Sequence, residues 1–259
     1  MVADDRTYAQ PPMLDPDLLG FVRGALPPPP ARLLEVGAGS GELAEGLRRD
    51  GYEVVAIDPA AETPAVRAVA LHELTEPPAS FDAAVAVVSL HHVEPLAESC
   101  SRLGELVRAG GSLVVDEFDV DQLDERAARW WLAQRETHSD HQPQPGELVA
   151  EMREHIHALA LLREALAEWF RLEDPMRGPY LHRWDLPPGL RGTEERLIAA
   201  DRLPATGAPH DRHAQVAEDA GLLTPPSACS SANRRTPDQT RCPARLDPSI
   251  DRSRSRQRT

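Results

Sequence analysis

Residues 33–44 read LLEVGAGSGELA, in which Glu35 stands before three glycines, Gly37, Gly39 and Gly41. Glycines at that spacing turn a strand into a helix and let a ligand lie against bare backbone. The pattern is G-x-G-x-G with Glu42 in sixth place, where a dinucleotide fingerprint needs a further glycine. A carboxylate at Glu35 repels a pyrophosphate and attracts an ammonium or sulfonium cation. The next strand-like run, VVAIDP, ends on Asp58 and Pro59, and an acid at that strand tip is placed to accept hydrogen bonds from both hydroxyls of a ribose. The spacing therefore describes a site for a nucleoside with a cationic tail.

His91 and His92, in VVSLHHVEP, are a second group with chemical reach. At the carboxyl edge of a parallel sheet such imidazoles either take a proton from a bound hydroxyl or amine, or serve only in packing and loop hydrogen bonds. Asp116 and Glu117 close the run SLVVDEF and have two readings of equal weight, contact with a second substrate or capping of the next helix. Trp130 and Trp131 read as packing, whereas Tyr180, His182 and Trp184 either wall a substrate pocket or anchor a cap. His138, His141, His155 and His157 lack cysteine support, and two residues two apart cannot share one helix face, so no metal site is expected.

The elements that must hold these residues alternate along the chain. ARLLEV, YEVVAID, AVRAVAL, FDAAVAVVS and GSLVVDEF are near-continuous aliphatic runs, and GELAEGLRRD and PLAESCSRLGELVRAG have helical spacing. Strands without polar alternation are covered on both faces, which predicts an α/β fold with a doubly wound, mostly parallel sheet. Before it, Asp15 and Pro16 start a short helix that the prolines at 27–30 end. After it, 121–136 and 145–170 are helical, the latter with Leu148, Met152, Ile156, Leu159, Leu162, Leu166 and Trp169 on one apolar face. This divides the chain into an N-terminal helix and proline linker (1–30), a cofactor-binding core (31–118), a helical cap with the C-terminal part of the fold (119–206) and a poorly structured tail (207–259).

In this order, the motifs LLEVGAGSGELA, VVAIDP, FDAAVAVVSLHHVEP and LVRAGGSLVVDEF resemble those of the class I S-adenosylmethionine-dependent methyltransferases that act on small molecules. The resemblance implies a Rossmann-like sheet with strand order 3-2-1-4-5-7-6 and S-adenosyl-L-methionine as cofactor. It implies that Glu35, Gly37, Ala38, Gly39 and Gly41 surround the methionine part, that Asp58 and Pro59 hold the ribose, and that Ser89 and Leu90 meet the methionine amino end. Relatives often carry an acid for adenine after strand three, where this chain reads VALHELTEPP. Leu71, His72 and Glu73 fall there, leaving backbone atoms or Glu73 to recognise the base. Strand six has only a poor candidate near 170–174, and no strand seven is evident where APHDRHAQ follows LPATG. Either the sheet closes irregularly or the end of the chain has diverged, for instance through a frameshift.

The expected reaction is methyl transfer to an oxygen or nitrogen of a small molecule, with His91 and His92 as the catalytic candidates. The alternative is a catalytically silent protein that binds the same cofactor. The net charge of −14 over 259 residues disfavours nucleic acid and anionic membranes as partners. Three scattered cysteines, an acidic start without a signal peptide, and no long apolar run fit a cytoplasmic protein.

Overall fold

Four of the aliphatic runs form parallel strands: β1 (Arg32–Val36), β2 (Glu53–Ile57), β3 (Phe81–Val87) and β4 (Val107–Phe118), in the spatial order β2-β1-β3-β4. The computed structural model describes residues 16–135, 142–184, 186–187, 189–209 and 214–216. Both faces of the sheet are covered, which is why its strands carry no polar alternation. On one face, α1 (Pro16–Ala25) and α2 (Glu42–Arg49) bring Leu18, Val22, Leu43 and Leu47 against Leu33, Val54, Val85 and Val114. On the other, α3 (Leu96–Leu106) brings Leu103 and Leu106 against Leu34, Val55, Ala84 and Leu113. Each such leucine contributes about 1.5–3 kcal/mol by leaving water. The fold is the predicted α/β, doubly wound and mostly parallel.

The helical stretch 145–170 is two helices, not one. α5 (Pro145–His155) and α6 (Leu159–Ala167) are separated by an extended residue, Ile156 (φ −129°, ψ 144°). The apolar positions continue through the break but serve different cores. Leu148, Met152 and Ile156 pack with Phe118, Leu123 and Trp131 of α4 (Glu125–Gln134), while Leu162 and Leu166 pack on the sheet beside α3. At the joint the His157 N–H leaves the helical ladder and donates to His91 O at 2.9 Å. Thus α6 belongs to the sheet layer, and the cap is α4, α5 and α7 (Arg191–Ala199).

The sheet also closes where no strand was expected. β6 (Gly207–Pro209) and β7 (Ala214–Val216) both run antiparallel to β4, and β7 pairs in turn with β5 (Phe170–Arg171). The poor candidate at 170–174 is thus a two-residue strand. The position of strand seven is taken by Gly207–Pro209 and Ala214–Val216, inside the stretch assigned to a poorly structured tail. Gly207–Pro209 pairs with Asp116–Phe118, and Ala214 and Gln215 pair with Leu113 and Ser112, so two short pairings flank β4 there. The predicted strand at 65–71 shrinks to a single bridge, Ile57 to Arg67. With that bridge at one edge, the order follows the expected 3-2-1-4-5-7-6. Residues 1–15, the loop histidines His138 and His141, and 217–259 lie outside the described residues. Among those described, no helix is long and apolar enough to cross a membrane.

Candidate functional site

The chain leaves β1 toward β2 on one side, while β3 lies on the other, so the tips of β1 and β3 form the crevice where ligands of open α/β sheets bind. Gly37, Gly39 and Gly41 all have positive φ, at 68°, 51° and 85°, a region L side chains rarely enter. The turn is pinned to β2, since the Gly37 and Ala38 N–H groups both donate to Ile57 O, at 2.9 and 3.0 Å. A side chain at Gly37 would overlap Ser89, so the loops after β1 and β3 touch there. Asp58 is buried and binds the turn as well as its own loop: Oδ2 accepts from Gly39 N at 2.9 Å and Oδ1 from Ala60 N at 2.8 Å. Each carboxylate oxygen keeps a second lone pair. Pro59, next to it, is exposed.

Glu35 is only 4% exposed. Burial pushes its carboxyl up to about 8; Arg48 and the Ala44 N–H pull it down, and Asp58 adds to the rise. Ala44 lies in the first turn of α2, whose N-cap, Gly41, has no side chain to offer. Glu35 therefore caps the helix from the strand beneath it. Its other oxygen, Oε2, is buried without a partner. Raised that far, the ligand-free carboxyl favours its protonated form at neutral pH, and a cation placed beside it would draw it back toward the anion.

The residues expected at the adenine end form one 3₁₀ turn, Leu71–Glu73. Leu71 faces the core, and the Glu73 side chain is 64% exposed. His72 differs from both, because its Nδ1 is buried without a hydrogen bond.

Beyond β3 the backbone is strained. Val88 has φ 51°, a left-handed conformation that costs a β-branched residue of order 1–3 kcal/mol. The kink sends Ser89 Oγ to Val36 O at 2.8 Å and aims the Ser89 and Leu90 N–H groups at Oε1 of Glu117, at 3.0 and 2.6 Å. Oε2 of the same carboxylate meets His91 Nδ1 at 2.5 Å. The Glu117 side chain is 0% exposed and that of His91 5%. His92 is on the exposed side, its ring centroid 4.2 Å from that of His91. Neither of the two readings of Glu117 anticipated this role. Helix capping falls instead to Asp119 and Asp124, which accept from Asp121 N and Ala127 N. His157, a bystander in the sequence, ties the cap joint to the His91 carbonyl and sits 3.1 Å from Glu94.

The aromatic group is an anchor. Tyr180 stacks on Phe118 at 4.7 Å and Trp184 on Trp131 at 4.4 Å, and Trp131 Nε1 donates to Trp184 O. Trp130 is half-buried against the same cluster. Burial and the nearby Glu117 push the Tyr180 hydroxyl well above its ordinary value. Arg183 pairs with Asp116 at 2.5 Å. The buried Glu194 accepts from the Tyr180, Leu181 and His182 N–H groups and meets His182 Nδ1. Burial raises the Glu194 carboxyl, but those bonds outweigh it and hold the group below the usual range.

A ubiquinone biosynthesis O-methyltransferase of Xylella fastidiosa is 35% identical over 123 residues, 41% of this chain and 49% of that protein. The chain spans about half the length of such relatives. An uncharacterized methyltransferase of Mycobacterium tuberculosis is 33% identical over 156 residues, 49% of this chain and 76% of that protein. An S-adenosylmethionine-dependent methyltransferase structure from Mesorhizobium loti overlays with a TM-score of 0.46 at 15% identity, covering 75% of this chain and 97% of that one. The family model of the methyltransferase domain matches residues 15–171. That span holds the glycine turn, Asp58 and the His91 loop, and the chain belongs to the class I S-adenosylmethionine-dependent methyltransferases.

Proposed function

We propose that the protein methylates an oxygen or nitrogen atom of a small molecule, with His91 receiving the proton that the acceptor loses. The residues fit the cofactor. Glu35, Gly37, Ala38, Gly39 and Gly41 would surround its methionine part, where the unpartnered Glu35 Oε2 lies buried beneath the glycine turn. Asp58, followed by Pro59, would hold the ribose through its spare lone pairs. Ser89 and Leu90 would meet the amino end. Of Leu71, His72 and Glu73, His72 offers the adenine edge a buried ring nitrogen. The bound cofactor supplies a methyl group on a cationic sulfur, which leaves as a neutral thioether when the acceptor's lone pair displaces it.

What this chain contributes is alignment, exclusion of water and a place for a proton. The observation that carries the proposal is His91. Its Nδ1 is taken by Glu117, while Nε2 makes no hydrogen bond among the described residues. A tertiary amine, which has no proton to lose, needs no such base. His92, beside it on the exposed side, would contact the acceptor rather than take its proton. The O-methyltransferase names of the relatives support oxygen as the acceptor atom.

The test is a panel of phenols, carboxylic acids and primary amines incubated with the protein and S-adenosylmethionine, with products identified by mass spectrometry. The expected result is one methylated class together with the demethylated cofactor. Cofactor binding by calorimetry with no product across the panel would favour the silent binding protein.

A further inference from the structure

Glu117 is a side chain with no solvent exposure whose two oxygens meet three donors from one turn, Ser89 N, Leu90 N and the His91 ring. The donors are not equivalent. A backbone N–H can only donate, so Oε1 is committed as an acceptor twice over. Of the two groups left facing each other, an imidazole is ordinarily a stronger base than a carboxylate. The proton shared across the 2.5 Å contact between Oε2 and Nδ1 therefore belongs on the imidazole. A neutral ring with its proton on Nδ1 presents a lone pair at Nε2.

The geometry points to Glu117 as the positioning residue of the reaction: it fixes His91 in the tautomer whose open nitrogen, Nε2, is the one that accepts. This rests on the reading of His91 as the acceptor's base. Val88 makes the arrangement possible, since its left-handed backbone turns the Ser89 and Leu90 N–H groups onto the same carboxylate that holds the ring. The carboxylate thus fixes both the loop proposed to hold the cofactor's amino end and the ring proposed to receive the proton.

Glu117→Gln separates these tasks. The amide carbonyl still accepts from Ser89 N and Leu90 N, but the amide NH₂ now donates toward Nδ1. His91 is then driven to carry its proton on Nε2, where it blocks the base.

The whole chain, wild type and Glu117→Gln, is compared by ¹⁵N NMR of the histidine rings at alkaline pH, by calorimetry with S-adenosylmethionine, and by turnover on the best acceptor from the panel. The wild type is expected to show a protonated Nδ1 and a bare Nε2, and Glu117→Gln the reverse. Cofactor Kd should stay within about threefold while kcat falls about 10²–10⁴-fold, the range of a general base held in the wrong tautomer. A purely structural loss would shift Kd and leave the ring's proton where it was.

A wild-type ring protonated on Nε2 overturns the inference. So does a Glu117→Gln protein whose tautomer reverses while kcat stays within threefold. If Glu117→Gln fails to fold, the wild-type spectrum alone decides. If the wild type methylates nothing on the panel, that failure belongs to the proposed function, and the tautomer of the ligand-free ring still supports or overturns the role of Glu117.

Discussion

Burial raises the Glu35 carboxyl from 4.5 to about 8, so between those two values the folded chain binds a proton that the unfolded chain has lost. The group's contribution to stability is complete below pH 4.5, declines as pH rises, and is gone above pH 8, with a slope of up to about 1.4 kcal/mol per pH unit. Glu35→Gln should flatten that decline and be more stable than the wild type at pH 8, measured as urea midpoints at pH 5, 6.5 and 8. Asp58 makes the opposite kind of contribution, through bonds already formed. Asp58→Ala frees Gly39 N and Ala60 N as well as removing the expected ribose partner. Since a hydrogen bond to a charged group is worth about 1.5–3 kcal/mol, S-adenosylmethionine Kd should rise roughly 10–100-fold by calorimetry. Glu35, the glycines and Asp58 were legible in the sequence because each is marked by its place at a strand tip or turn. Glu117 was not, because its three donors lie 26, 27 and 28 residues earlier and nothing local marks the pairing.

Two helical glycines show how packing decides the sign of one substitution. In α1, a Cβ on Gly20 would meet nothing within 4 Å, so Gly20→Ala should gain about 0.5–1 kcal/mol from helix propensity alone. In α3, a Cβ on Gly104 would come within 2.5 Å of the Trp169 ring. Overpacking of about 1–3 kcal/mol then outweighs the same propensity gain. Gly104→Ala should lose stability, and much of that loss should vanish in the Trp169→Leu background, a coupling that urea denaturation of the four proteins measures. The break between α5 and α6 was invisible in the sequence for a related reason. Apolar spacing continues unchanged through Ile156, and only the contacts with His91, more than sixty residues away in the chain, show where the ladder stops.

Across the whole molecule, the parallel half of the sheet was readable and the antiparallel half was not. The first half consists of buried aliphatic runs, whereas β6 and β7 are three residues each, carry proline or glutamine, and exist because β4 offers them an edge. Cutting the chain after Leu203 removes both, along with the Thr206 carbonyl that accepts from Asp119 N at 2.8 Å. It bares β4, the strand that carries Glu117. Such a protein should aggregate, since an unpaired strand edge recruits other chains, and size-exclusion chromatography would show the loss of its soluble peak.

The joint at residues 156–158 has a further consequence. The helices before it pack in a separate apolar cluster, and the helix after it is fastened to the sheet. Exchanging the cap therefore means replacing Tyr180, Leu181 and Leu203 together with the helices of 119–155, since all pack in one cluster, while His157 stays to hold the joint against the His91 carbonyl.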